Sequence, residues 1–295
     1  MNLLLVAPLL LSVIGAVFAC LLPTATSPAL CVRALSVALV ISAGAVTAGL
    51  VLVGLAAASE IHSVSHVLQW CRALVPGEHG VSLWAGVSAG AMLAWSGWRV
   101  AGHLRQVLRD RRRFADVCGV EVVDAPGPVA FAVPGRPGGI VLGRQLLIEL
   151  RSDERAAVLA HERAHLQHGH HRYVLAAELC AAAFPFLGPI ARRVRFNTER
   201  WADETAATHV GSRELVARAI ARAALFGADI PAPRYGLSLI GSGTAARVEA
   251  LTAPRVSTGP TLPLAAVGSA LAATVAGASV QLHHLAVFVR QICPT

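Results

Sequence analysis

Two histidines flank a glutamate in His161-Glu162-Arg163-Ala164-His165, and these are the side chains best equipped to do chemistry in this chain. On a helix, residues four apart share a face, so both imidazoles can bind one metal ion there. Neutral imidazole is a good ligand for Zn2+, and Glu162, beside the pair, is placed to take a proton from a water whose pKa the ion lowers to about 7. The third ligand has two candidates. Glu199 and Asp203 lie four apart in the segment Asn197-Thr198-Glu199-Arg200-Trp201-Ala202-Asp203-Glu204. Glu199 can therefore complete a two-histidine, one-glutamate set while Asp203 orients a ligating histidine by a hydrogen bond. The rival is His171, because an H-E-x-x-H-x-x-G-x-x-H pattern places a third histidine six residues after the second. Here His168 stands where that glycine belongs, and the glycine is Gly169. The spacing favours Glu199 and leaves His168, His170 and His171 as solvent-facing or weakly metal-collecting. His62, His66, His103 and His209 read as structural or exposed.

The elements that must hold these groups follow from the flanking residues. Ser152 as an N-cap, Asp153 and Glu154 in the first turn, and Gly169 as a stop frame a helix of about four turns around the motif. Before it, Val120-Glu121-Val122-Val123, Val129-Ala130-Phe131-Ala132-Val133 and Ile140-Val141-Leu142 read as strands. After it, the apolar stretch Val174 to Ile190 is nearly long enough to cross a membrane. A single crossing would put Glu199 on the opposite side from His161, and the metal set could not form. This stretch, which contains Glu178, Pro185, Gly188 and Pro189, is expected to be a buried or membrane-resting helix that turns back.

The whole chain is far more apolar than an ordinary soluble domain, with 55% hydrophobic and 14% charged residues. Several segments approach the roughly 20 apolar residues that a helix needs to cross a bilayer: about Leu3 to Leu22, Leu35 to Ala58, Val81 to Trp98 and Leu264 to Val289. Met1 to Pro8 carries no basic residue, so the first segment reads as a retained span rather than a cleaved signal. Charge is concentrated elsewhere: 22 of the 25 basic residues, all arginine, and 15 of the 17 acidic ones lie between Arg99 and Arg255. That interval reads as one water-facing domain. Arg99, Arg105, Arg109, Arg111, Arg112 and Arg113 directly follow the third span, which orients the domain toward the cytosol and favours lipid headgroups over nucleic acid as their partner. The spans carry essentially no charge, which argues against a transporter. The 6 cysteines form no C-x-x-C pair and suggest neither a disulfide scaffold nor a thiolate zinc site.

With these features in this order, the chain resembles the BlaR/MecR family of membrane zinc metallopeptidases, and more distantly the HtpX and CAAX-prenyl-protease group of gluzincins. The resemblance rests on the three N-terminal spans, on Ala130-Phe131-Ala132 followed by Ile140-Val141-Leu142-Gly143, and on Glu154 leading into Ala157-Val158-Leu159-Ala160-His161-Glu162. Glu199-x-x-Ala202-Asp203 and a fourth span complete it. It implies a zincin-like domain in which His161, His165 and Glu199 bind one Zn2+ and Glu162 activates water. It also implies that Ala130, Phe131 and Ala132 form an edge to which substrate backbone adds as a strand. Two features depart from the pattern. BlaR/MecR sensors carry a penicillin-binding domain after the fourth span, whereas only a few residues remain here after Val289, so the chain is not expected to sense β-lactams by itself. The stretch Gly241-Ser242-Gly243-Thr244-Ala245-Ala246-Arg247 lacks the His-Pro pair that precedes an arginine-bearing helix in the HtpX-like group.

These readings predict an α-helical polytopic membrane protein, with about four transmembrane helices and an inserted α+β zincin-like metallopeptidase domain. Residues 1–98 would form three spans, 99–260 the cytosolic catalytic domain, and 261–295 the fourth span and a short tail. The expected function is an integral-membrane zinc endopeptidase acting on a cytosolic or membrane-associated protein, in signalling or quality control. Its expected partners are the protein substrate and the lipid bilayer, without nucleic acid. The competing expectation is a non-catalytic membrane signalling or assembly protein with structural zinc. Structural sites fill all four positions with protein ligands, so a three-ligand set favours the enzyme.

Overall fold

The computed structural model describes residues 27–58, 82–125, 129–135, 138–226, 237–238 and 243–254, with isolated helical positions between 265 and 279. Two long helices come first, α1 (Pro28–Ala58) and α2 (Leu83–Arg113). Among the described residues α1 is the one helix long and apolar enough to cross a membrane, over Pro28–Leu55, and it contains the second expected span. One side of it buries Val32, Leu35, Leu39 and Val46 while Val37, Val40 and Val51 are exposed. A helix apolar on both sides suits protein on one side and lipid on the other.

The third expected span is helical from Leu83 on but is not a separate element. Helix α2 runs unbroken through the arginine cluster to Arg113, and its Gly, Ser and Trp residues and Arg99 keep it below the apolarity of α1. The expected boundary between residues 98 and 99 therefore falls inside one helix. The first expected span lies outside the described residues, and so does the fourth apart from the isolated positions between 265 and 279.

The strands β1 (Gly119–Val123), β2 (Ala130–Val133) and β3 (Gly139–Gly143) match the expected ones to within a residue at each end. With β4 (Leu237–Ser238) they form a sheet in the order β1-β3-β2-β4, in which β1 and β3 are parallel and the other pairs antiparallel. Side chains alternate across it as strand geometry requires. Ala130, Ile140 and Leu142 join the helical core, whereas Phe131, Val133 and Val141 pack on the other face with Val117 and Phe114. One expectation is corrected here. Strand β2 is interior, because Leu237–Ser238 pairs with its outer side at Phe131 and Ala132.

Where β1 and β3 run together, Gly139 stands so close that an added Cβ would lie 2.9 Å from the Gly119 carbonyl oxygen and 2.7 Å from Val117 Cγ1. Backbone cannot yield as a side chain can. Gly139→Ala is therefore expected to destabilise the fold by about 1–3 kcal/mol, the usual cost of overpacking, measurable by denaturant unfolding.

Helices α3 (Arg144–Glu149), α4 (Ser152–Gln167), α5 (His170–Ala183), α6 (Gly188–Val210), α7 (Arg213–Phe226) and α8 (Thr244–Thr252) follow. The motif helix α4 begins one residue earlier than expected. Arg151 is its N-cap, and the Glu154 carboxylate accepts a hydrogen bond from the Arg151 backbone N–H at 3.0 Å. That satisfies one donor the first turn would otherwise leave open.

The stretch Val174 to Ile190 does turn back. Helix α5 ends at Ala183, Pro185 opens a short 3-10 turn, and Gly188-Pro189 starts α6, a place where proline fits because its missing N–H is not needed. Phe184, Leu187, Ile190 and Val194 bury themselves against Val32, Leu35, Leu39 and Val46 of α1. Each such side chain contributes about 1.5–3 kcal/mol, enough to hold the hairpin to α1 so that α4 and α6 lie side by side.

Candidate metal centre

Helix α4 buries one face, made of Ala157, Val158, Ala160, His161, Glu162, Ala164 and His165, because the apolar members of that face belong to the core. The two imidazoles are carried in with them. His161 Nε2 and His165 Nε2 stand 3.0 Å apart. Helix α6 brings Glu199 to the same point, with Oε2 3.5 Å from His161 Nε2 and Oε1 3.8 Å from His165 Nε2. One turn on, Asp203 Oδ1 lies 2.9 Å from His161 Nδ1. The structure thus brings together His161, His165, Glu199 and Asp203, and Glu162, next to His161 in the chain, is fully buried.

Among the described residues, His161, His165 and Glu199 form the one group of this kind able to hold an ion, with ligand atoms within 4.8 Å of one another. Two imidazole nitrogens and a carboxylate oxygen converging in a buried space fit zinc, and three protein ligands leave a position open. His171, the rival third ligand, is not in the group. His103, expected to be structural or exposed, faces Glu178 Oε2 at 3.2 Å, and His209 is exposed.

The reading of His170 is corrected, whereas His168 stays partly exposed. His168 stacks on Trp201 and lies 3.2 Å from Thr205 Oγ1, and His170 is fully buried. The break at Gly169, with φ 61, starts a new helix that folds His170 back under α4 instead of out to water.

Arg247 is the site residue that the spacing of motifs does not reveal. Gly243, at φ 91, starts α8 with its Cα packed near the Phe196 ring, where a Cβ would come within 3.0 Å of a ring carbon. From there Arg247 enters fully buried. Its Nε donates to Asp203 Oδ2 at 2.8 Å, its Nη2 to Asp203 Oδ1 at 2.7 Å, and its Nη1 lies 3.2 Å from Glu199 Oε2. One guanidinium thus fixes the Glu199 and Asp203 carboxylates of α6. The result is a chain of contacts from Arg247 through Asp203 to His161 Nδ1.

These neighbours set the protonation of the site. Burial works against a charge on His161, yet hydrogen bonds to Asp203 and Glu199 outweigh it and raise its pKa to about 9. Burial likewise opposes ionisation of Glu199 and Asp203, and the Arg247 guanidinium together with hydrogen bonds from His161 reverses it and holds both below the ordinary carboxylate range. For Glu162 the same neighbours, His161 and Arg247, compensate burial only in part. Burial pushes it up to about 8, with His161 lowering it and Glu199 raising it. The Ala132 backbone of β2 approaches its carboxyl group and lowers its pKa in turn.

A pH dependence follows from these directions. Below about pH 9 the metal-free site holds a proton on His161, and a cation must displace it to reach the ring nitrogen. Zinc affinity is therefore expected to rise with pH from 6 to 9. Uptake at pH 7 should release about one proton from His161 and up to one more from Glu162, read by calorimetry in buffers of different ionisation enthalpy.

Comparison with known proteins adds one finding. A family model described as Peptidase family M48 matches residues 101–260, just over half of the chain and the whole of the part that carries these residues. No curated protein and no solved structure matches the chain.

Proposed function

The chain belongs to peptidase family M48, and from that premise we propose that it is an integral-membrane zinc-dependent endopeptidase. Its substrate would be a cytosolic or membrane-associated protein, cut in signalling or protein quality control. The observation that carries the reading is the convergence of the His161, His165 and Glu199 ligand atoms in a buried space, with the fully buried Glu162 carboxyl group next in the chain to His161. Burying an ionisable group costs stability, and a carboxyl group kept there calls for an explanation in function.

His161, His165 and Glu199 would hold the ion. When bound, zinc supplies the Lewis acidity that acidifies water and polarises the scissile carbonyl. Glu162 takes the proton that the attacking water gives up and returns it to the departing amine, a role that suits a carboxyl group whose burial brings its pKa toward neutrality. Asp203, fixed by Arg247, holds His161 with Nε2 directed at the ion. The substrate backbone would add along Ala130, Phe131 and Ala132 of β2, extending or replacing the short pairing with Leu237–Ser238.

The same proposal includes the BlaR/MecR type of organisation: residues 1–98 as three spans, 99–260 as the cytosolic catalytic domain and 261–295 as the fourth span. The apolar outer face of α1 and the exposed Trp84, Trp95 and Trp98 of α2 support membrane contact. The arginines that end α2 support a cytosolic active site. The test is metal dependence of cleavage. Stripping the detergent-purified chain with a chelator should abolish cleavage of unfolded casein, and zinc alone should restore it. Undiminished cleavage by metal-free protein would refute the proposal.

A further inference from the structure

His170 is fully buried, yet neither the metal set nor the proton transfer uses it. Its Nδ1 lies 2.9 Å from the Nδ1 of His165, while His165 turns its Nε2 toward His161 and Glu199. A neutral imidazole has one protonated nitrogen and one lone-pair nitrogen. If His165 gives the Nε2 lone pair to a cation, its Nδ1 carries the proton, and a neighbour at 2.9 Å must accept that proton in a hydrogen bond. His170 Nδ1 is then the lone-pair nitrogen. Its own proton sits on Nε2, which has no hydrogen-bond partner among the described residues.

We infer that His170 is a positioning residue for the metal centre: it accepts the His165 Nδ1–H and so holds that ligand in the tautomer and ring orientation that present Nε2 to zinc. The inference rests on the metal-site reading above. The two histidine ligands are then held by acceptors of different kind, the Asp203 carboxylate behind His161 and a neutral imidazole behind His165.

The surroundings of His170 keep its ring in place. It is the first residue of α5, directly after the left-handed Gly169 that separates α5 from α4. Its ring packs 4.7 Å from Trp201 and 5.4 Å from His168. Trp201 sits on α6, two residues beyond Glu199, and the Arg33 guanidinium of α1 lies 5.2 Å from the centre of its ring. The support for His165 is thus built from the helix that supplies the third ligand and is capped by the apolar helix α1.

The test compares His170→Phe, which keeps a planar ring and loses the acceptor, with His170→Asn, whose amide oxygen can accept in its place. Zinc affinity of the full chain in detergent is measured by competition with a chelator, alongside the visible spectrum of the cobalt-loaded protein. Zinc affinity should fall about 10–100-fold in His170→Phe, the usual effect of losing a partner behind a metal ligand, with a changed cobalt spectrum. His170→Asn should stay within a few-fold of wild type. Unchanged affinity in His170→Phe, or an equal loss in His170→Asn, would overturn the inference. If far-UV circular dichroism shows that His170→Phe does not fold, His170→Leu takes its place in the comparison. A wild-type chain that binds no zinc would instead overturn the metal-site reading itself.

Discussion

Replacing Glu162 with glutamine is expected to slow peptide hydrolysis by about 10²–10⁴-fold, the range that a positioned acid or base contributes, while zinc content stays at the wild-type level. The two effects separate because Glu162 is not among the three converging ligands. Glutamine has the same shape but cannot carry the proton, and no other carboxylate is placed to take over. Glu199 is committed to the ligand set and Asp203 to His161 and Arg247. The substitution also removes a buried group that burial holds near pH 8, so the variant should fold at least as well as wild type. Steady-state cleavage of unfolded casein and elemental analysis of the same preparation check both halves. Wild-type rates in Glu162→Gln would remove Glu162 from the mechanism.

Arg247→Met should be the most damaging substitution outside the ligand set, destabilising the chain by about 3–5 kcal/mol, as is usual when one partner of a buried ion pair is removed. Its guanidinium binds Asp203 through two nitrogens and faces Glu199 with the third, all in a fully buried position. Methionine fills much of the volume but leaves two carboxylates facing each other across His161. Arg247→Lys keeps the charge, yet an ammonium cannot reproduce the fork that meets both Asp203 oxygens, so it should recover only part of the loss. Denaturant unfolding of the three proteins, followed by far-UV circular dichroism, measures this. Equal stability of wild type and Arg247→Met would show that the pair holds nothing together.

Much of this site was legible in the sequence because its parts are local. The spacing of His161 and His165 on one helical face, the i,i+4 pair Glu199 and Asp203, and the strands around Phe131 and Ile140 each depend on a few neighbouring residues. The turn at Phe184 to Gly188 was also inferable, since only a returning helix lets Glu199 reach His161. What the sequence concealed depends on contacts between distant segments. Arg247 meets Asp203 across 44 residues of chain, and nothing in the local pattern of α8 announces an ion pair. His170 looked exposed because it stands among polar neighbours just past a helix stop, but the left-handed Gly169 turns it inward. The family resemblance implied that β2 is an edge, and only the pairing with Leu237–Ser238 reveals that it is not.

The most direct test of the account is the zinc content, per chain, of detergent-purified wild type and Glu199→Ala, determined by elemental analysis after dialysis against a metal-free buffer. The account predicts about one zinc in wild type, as a single-ion catalytic site requires, and little or none once Glu199 is gone. A wild-type chain without zinc, or a Glu199→Ala chain that retains it in full, would contradict the assignment of His161, His165 and Glu199 as the metal centre.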